Sequence, residues 1–142
     1  MAGQRAPLED FRAPAKLKIA ALWASTMLCY IYCDYFGLFV PNALAAMNSG
    51  KLGPLGPATP GMLVGVSVMM AIPSIMVFAS LVLPPRLDRW LNFVLGVIYS
   101  AIMIVTLPGA PPFYWFFALV EIAMTLAIAW VAWTWPSIGR PA

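Results

Sequence analysis

The chain has 142 residues, of which 63% are hydrophobic and only 9% are charged. Because water-soluble domains carry about 25% charged residues, this composition excludes a soluble globular fold and indicates an integral membrane protein. The net charge of +3 comes from basic residues beside apolar segments, so it predicts membrane topology and no nucleic-acid partner. The absence of histidine removes the usual ligand of haem and zinc sites and the usual general base.

Four apolar segments are long enough to cross a bilayer core of ~30 Å, which takes about 20 helical residues. A polar tail, residues 1–15, precedes them, and they cover residues 19–40, 62–83, 90–107 and 113–135. The first segment is too long for the apolar core of a signal peptide, which has roughly 7–15 residues. The connections are short and rich in proline and glycine. The sequence therefore predicts an all-α fold, a single-domain integral membrane up-down four-helix bundle.

Basic residues are distributed unevenly between the two ends of this bundle. The opposite end from the termini carries only Lys51. The end with both termini carries seven lysines and arginines, namely Arg5, Arg12, Lys16, Lys18, Arg86, Arg89 and Arg140. Since basic residues in short loops stay on the cytoplasmic side, we expect both termini in the cytoplasm.

Two carboxylic acids interrupt the apolar segments, in the half of the membrane away from the termini. Helical rise places Asp34 roughly 9 Å and Glu121 roughly 12 Å below the same surface. An unpaired charge at the membrane centre costs about 2.5–3.5 kcal/mol, somewhat less away from it, and neither lysine nor arginine is available at that depth. A shared proton or a bound monovalent cation would satisfy both acids.

Three hydroxyl side chains are predicted in the same half of the membrane. Tyr30 shares a helix face with Asp34, Tyr99 falls at a depth similar to that of Glu121, and Ser67 lies nearer the surface. A proton shared by the acids would be hydrogen-bonded to Tyr30 or Tyr99. These five residues form the predicted proton- or ligand-binding site, and no catalytic residue, metal ligand or cofactor is predicted.

Three interpretations of the two acids remain open. They hold the helices together by hydrogen bonds, they form a proton- or cation-binding site open to the outside, or they never meet. Pro73 is the only proline inside a predicted span, so it predicts a kink in that helix. The kink would serve either as a hinge that gates such a site or as a packing feature alone.

Several short motifs resemble a family of small bacterial four-span membrane proteins known only as a domain of unknown function. The motifs are Lys16-Leu17-Lys18-Ile19, Tyr30-Ile31-Tyr32 with Asp34-Tyr35, Ala71-Ile72-Pro73-Ser74, Pro84-Pro85-Arg86-Leu87 and Leu107-Pro108-Gly109. The resemblance covers roughly residues 9–136 and implies a bacterial origin and four membrane spans without assigning a role to any residue. The plan is more distantly similar to that of DoxX-like membrane proteins. Small multidrug exporters also have four spans and a membrane glutamate. Theirs lies in the first helix, whereas Glu121 lies in the last, which counts against assigning the chain to them.

The sequence predicts a non-enzymatic inner-membrane protein, either a structural or accessory subunit or a small transporter-like bundle. The alternative is proton-coupled transport or binding of a small or lipophilic cation through Asp34 and Glu121. An enzyme is disfavoured because the chain lacks histidine and its Gly/Pro segment, residues 50–61, does not follow P-loop spacing. The expected partner is the lipid bilayer, and a second copy or a larger membrane complex remains open.

Overall fold

The computed structural model describes residues 10–136, which form five α-helices and one short 3-10 helix, Gly53–Leu55. The α-helices are α1 (Ala15–Gly37), α2 (Ala43–Asn48), α3 (Pro60–Val82), α4 (Pro85–Thr106) and α5 (Pro112–Trp133). All of these except α2 have 22 or 23 residues and are apolar enough to cross a membrane. The predicted all-α four-helix bundle is confirmed. Most of the predicted polar tail, residues 1–9, and the counted arginine Arg140 lie outside the described residues.

Prolines set the beginnings of three of the long helices. Pro60, Pro85 and Pro112 each stand in the first turn of α3, α4 or α5, where a missing N–H is not needed and the fixed φ suits a helix. In α3 the hydroxyl of Thr59 also accepts a hydrogen bond from the N–H of Met62, at 3.2 Å, which caps the helix.

Two helix ends differ from the sequence prediction. Helix α4 begins at Pro85 and has 22 residues, so residues 85–89, which lie between the predicted spans 62–83 and 90–107, are helical. The predicted span began at Trp90 because residues 86–89 include three charged side chains. Helix α1 ends at Gly37 and residues 38–40 form turns, which places Asp34 about 4.5 Å from the helix end.

The four long helices pack in the order α3, α1, α5, α4 around the bundle. Helix α1 packs against α3 and α5, α5 packs against α4, and contact between α3 and α4 is sparse. We call the end that holds the beginning of α1 and the end of α5 the terminal end. The opposite end, which holds α2 and residues 107–111, is the loop end.

Helices α4 and α5 approach each other closely at Gly96. A Cβ atom at this position would lie 2.7 Å from the carbonyl oxygen of Thr125 and 3.0 Å from the backbone nitrogen of Ala129. One turn further along α4, the hydroxyls of Ser100 and Thr125 are hydrogen-bonded at 2.7 Å. The glycine thus allows a backbone approach that brings two hydroxyls on facing helices together.

Candidate functional site

A cavity of about 90 Å³ lies in the loop half of the bundle, between all four long helices. It forms where α3 and α4 pack sparsely against each other. Its wall includes Tyr30, Cys33 and Asp34 of α1, Met69 and Met70 of α3, Tyr99, Met103 and Thr106 of α4, and Tyr114 and Glu121 of α5. At ~30 Å³ per water in the liquid, this volume equals about three water molecules.

Glu121 is the innermost acid of this cavity. Its side chain is 0% exposed, and neither carboxylate oxygen has a hydrogen-bond partner within the described part of the chain. A buried carboxylate without a partner is costly by several kcal/mol. The arrangement therefore leaves Glu121 free to take up a proton or to bind a cation in the cavity.

Tyr99 also lines the cavity, but its hydroxyl is already used. It donates a hydrogen bond to the carbonyl oxygen of Met69 on α3. That carbonyl is four residues before Pro73, which has no N–H with which to close the usual helical hydrogen bond. Tyr99 thus satisfies the carbonyl that Pro73 frees. The hydrogen bond predicted between Tyr30 or Tyr99 and a proton shared by the acids stays a prediction.

Pro73 itself lies inside a continuous α3 and faces the bundle core. Its side chain is buried among the residues that pack α3 against the neighbouring helices. The Met69 carbonyl that accepts the hydrogen bond from Tyr99 is one turn before this proline, and both Met69 and Tyr99 line the cavity. A hinge role for Pro73 stays a prediction.

Tyr30 supplies a second free polar group at the cavity. Its side chain is buried, and its hydroxyl has no hydrogen-bond partner among residues 10–136. Nearer the loop end, the hydroxyl of Tyr114 donates to that of Thr106 at 2.9 Å, on the exposed side of the cavity. Tyr30 and Glu121 are therefore the buried polar side chains of the cavity wall whose oxygens have no hydrogen-bond partner within the described chain.

Asp34 lies at the rim of the cavity rather than inside it. It belongs to the cavity wall, yet its side chain is exposed and lies one turn from the end of α1. Glu121 lies nine residues into α5, or about 13.5 Å from the beginning of that helix. The two acids therefore line one cavity at different depths, and no hydrogen bond joins them within the described chain.

Ser67, the fifth predicted residue, lies outside the cavity. Its side chain is exposed, and its hydroxyl donates to the carbonyl oxygen of Leu63 on its own helix, at 2.8 Å. The sequence predicted its depth but not its direction, because α3 is apolar on all sides and its pattern does not identify a buried face. The structure thus brings together Tyr30, Asp34, Tyr99 and Glu121 and leaves Ser67 apart.

A second buried polar cluster lies in the terminal half and was missed by the sequence analysis. Trp23, Ser80, Asp88 and Asn92 are all 0% exposed. The Asn92 side-chain oxygen accepts hydrogen bonds from the indole N–H of Trp23, at 2.7 Å, and from the hydroxyl of Ser80, at 3.3 Å. The Asn92 amide donates to the side-chain and backbone oxygens of Asp88, at 2.7 and 2.9 Å. We call these four residues the terminal cluster.

The terminal cluster joins α1, α3 and α4 at the end away from the cavity. Nearby, the ammonium group of Lys16 donates to the carbonyl oxygens of Leu81 and Leu83 at the end of α3, a favourable position for a cation. A signal for the cluster was present in the sequence. Asp88, Asn92, Gly96 and Ser100 recur every four residues and so mark one face of α4.

The cavity wall combines an acid, aromatic rings and methionine side chains. A carboxylate and tyrosine rings both attract a positive charge, and methionine side chains adapt to irregular apolar groups. Within residues 10–136, no three His, Cys, Asp or Glu side chains lie close enough together to hold a metal ion.

The model of a family of unknown function (DUF6326) matches residues 9–138 of the chain. No curated protein and no solved structure matched the chain. The matched segment includes all four long helices, the cavity and the terminal cluster. The chain therefore belongs to this family of unknown function.

Proposed function

We propose that this member of a family of unknown function binds a small monovalent organic cation, of the primary ammonium class, at Glu121. The observation that carries the proposal is the fully buried Glu121 carboxylate, whose two oxygens have no hydrogen-bond partner among the described residues. An acid that only holds helices together would bond to a neighbouring helix. Glu121 instead lines a cavity with Tyr30 and Tyr99.

The size and lining of the cavity support a compact ligand. About 90 Å³ accommodates an ammonium head with a short alkyl chain but not a large drug-like molecule. The ammonium N–H groups would donate to Glu121 and to the free hydroxyl oxygen of Tyr30. The alkyl chain would lie against Met69 and Met103. Asp34 at the rim would attract the cation toward the cavity.

A proton and a cation would compete for the same carboxyl group in this proposal. Glu121 carries either a proton or the cation, so that uptake of one releases the other. Such exchange is the elementary step of proton-coupled transport. The step makes and breaks no covalent bond other than that of the proton, so we propose a non-enzymatic role.

We also propose that the protein lies in the bacterial inner membrane with both termini in the cytoplasm. The terminal end carries Lys16, Lys18, Arg86 and Arg89, whereas the loop end carries Lys51, a distribution that favours this orientation. Reporter fusions after Ser49 and after Ala110 are expected to give periplasmic signals. A cytoplasmic signal at either position would contradict the orientation.

Calorimetric titration of the full-length protein in lipid nanodiscs with ethylammonium tests the binding site. We expect saturable binding by the wild type that weakens at lower pH, because protons compete for Glu121. Glu121→Gln should abolish binding, and Ser67→Ala, a control on the exposed face of α3, should leave it unchanged. Binding by Glu121→Gln at wild-type affinity would overturn the proposal, as would a wild type that binds no ethylammonium.

Labelling of the native cysteines gives an independent measurement. Cys33 lines the cavity, whereas Cys29, one turn away on α1, does not. Ethylammonium is therefore expected to slow the reaction of a maleimide with Cys33 in a Cys29→Ser protein. It should not slow the reaction with Cys29 in a Cys33→Ser protein. Equal protection of both thiols would indicate a general effect on folding and contradict the proposed position of the ligand.

A further inference from the structure

A second concave region lies on the outside of the bundle, between α4 and α5 in its terminal half. It is a groove of about 640 Å³ on the apolar surface. Phe93, Trp130 and Trp133 form its aromatic side, and Ala123 and Ala127 leave room in the part nearer the membrane centre. The groove is separate from the cavity that contains Glu121.

The length of the groove matches one leaflet of a bilayer. It extends along α5 from Trp133, at the end of the helix, to Ala123. Ten residues of helix rise by about 15 Å, which is half of the ~30 Å hydrocarbon core. An extended acyl chain from the leaflet at the terminal end would therefore fill the groove from the interface to the membrane centre.

A cationic group stands at the interfacial end of the groove. The guanidinium carbon of Arg89 lies 5.9 Å from the centre of the Trp133 ring. One of its nitrogens donates to the backbone oxygen of Trp133, at 3.1 Å. A guanidinium has five N–H donors in a fixed plane, so these contacts orient Arg89 and leave other donors for a phosphate oxygen.

We propose that this groove binds one acyl chain of an anionic phospholipid whose phosphate contacts Arg89. Charge complementarity favours this occupant over a second copy of the chain. A two-fold contact through the groove would bring a second Arg89 to the same membrane depth, with no acid in the groove wall to balance the two charges. A lipid supplies both the apolar chain and the negative head.

Native mass spectrometry of the delipidated full-length protein in detergent tests this site. The probes are phosphatidylglycerol and phosphatidylcholine with identical acyl chains. We expect one retained phosphatidylglycerol per chain, bound about fivefold more tightly than phosphatidylcholine, which corresponds to about 1 kcal/mol for one basic residue near an anionic head group. Inorganic phosphate at the same concentration should not displace the lipid.

Two sets of variants distinguish the head-group contact from the groove. Arg89→Gln should remove the preference for phosphatidylglycerol, Arg89→Lys should keep most of it, and Arg86→Gln, at an exposed arginine one turn earlier, should leave it unchanged. Ala127→Leu should weaken binding of both lipids by filling the groove, whereas Ala71→Leu on the exposed face of α3 should not. Circular dichroism checks that each variant is folded.

Three results would overturn the proposal. They are equal affinity for the two lipids, an equal loss of preference in Arg86→Gln and Arg89→Gln, and a dimer that retains no lipid and dissociates in Ala127→Leu. The last result would identify a second copy as the occupant. None of these results depends on cation binding at Glu121.

Discussion

The loop half and the terminal half of the bundle each contain a fully buried carboxylic acid, and the two acids differ in what surrounds them. Asp88 in the terminal half has one side-chain oxygen bonded to the amide of Asn92, and only the other lacks a partner within the described chain. Glu121 in the loop half has neither oxygen bonded and faces a cavity. Burial of an acid alone therefore does not mark a binding site. The unused hydrogen-bonding capacity of Glu121 distinguishes it from an acid that holds helices together.

One side chain contacts both halves. The indole N–H of Trp23 donates to Asn92 of the terminal cluster, and its ring meets that of Tyr99 edge to face, with centres 5.7 Å apart. Tyr99 in turn lines the cavity. The two halves are therefore in direct contact through Trp23, although their buried acids differ in hydrogen bonding.

The largest effect is expected in the terminal cluster. Asn92→Ala should lower the free energy of unfolding by about 2–3 kcal/mol, because Asn92 takes part in four hydrogen bonds at ~0.6 kcal/mol each and leaves a cavity when removed. Reversible unfolding in mixed micelles of a denaturing and a mild detergent measures it. If Asn92→Ala lost less stability than Glu121→Met in the loop half, the greater structural role of the terminal cluster would be contradicted.

A slightly smaller loss is expected where α4 meets α5. Gly96→Ala should cost about 1–2 kcal/mol, since the new methyl group would meet the backbone at Thr125 and Ala129. Gly65→Ala is the matched control, because nothing lies within 4 Å of a Cβ at that position. It should be neutral or slightly stabilising. The free energies of unfolding of the two variants are measured in the same way. Equal losses of stability in both would contradict the close approach at Gly96.

A double-mutant cycle tests the bond between Tyr99 and the carbonyl that Pro73 frees. Tyr99→Phe should cost ~0.6 kcal/mol in the natural background. In a Pro73→Ala background the restored N–H can satisfy the Met69 carbonyl, so Tyr99→Phe should cost less there. The unfolding free energies of the four proteins give the coupling, and strict additivity would show that the proline and the tyrosine act independently.

The smallest effect on stability is expected at Glu121. Glu121→Met keeps a similar volume and removes no hydrogen bond within the described chain. The free energy of unfolding should therefore fall by no more than ~0.5 kcal/mol, or should rise. Ethylammonium binding should nevertheless be lost. A destabilisation as large as that of Asn92→Ala would mean that Glu121 holds the helices together.

Much of the fold follows from the sequence because a bilayer dictates helix length. Four apolar segments and short proline-rich connections were sufficient to predict the bundle, and helical rise placed Tyr30, Asp34, Tyr99 and Glu121 in one half of it. The direction in which each side chain points was harder to predict from the sequence. Ser67 lies in the same half as these residues but faces outward, since a helix that is apolar all round does not identify its buried side.

The terminal cluster could not be predicted by the same reasoning. Asp88 was assigned to a loop because its neighbours are charged, yet it is buried and accepts a hydrogen bond from Asn92 of the next turn. The other two partners of Asn92, Trp23 of α1 and Ser80 of α3, lie on different helices. Polar residues recur at every fourth position along α4. This pattern would have indicated the cluster only with a predicted helix that begins at Pro85.

The sparse packing between α3 and α4 bears on the path by which the proposed cation would reach Glu121. At the height of the cavity, the hydroxyl of Tyr99 on α4 donates to the carbonyl oxygen of Met69 on α3, and few other contacts join the two helices. If they parted, the cavity would open laterally toward the hydrocarbon of the bilayer, in addition to its rim at Asp34. Under the proposed function, an amine dissolved among the lipid acyl chains would then reach Glu121 without returning to water.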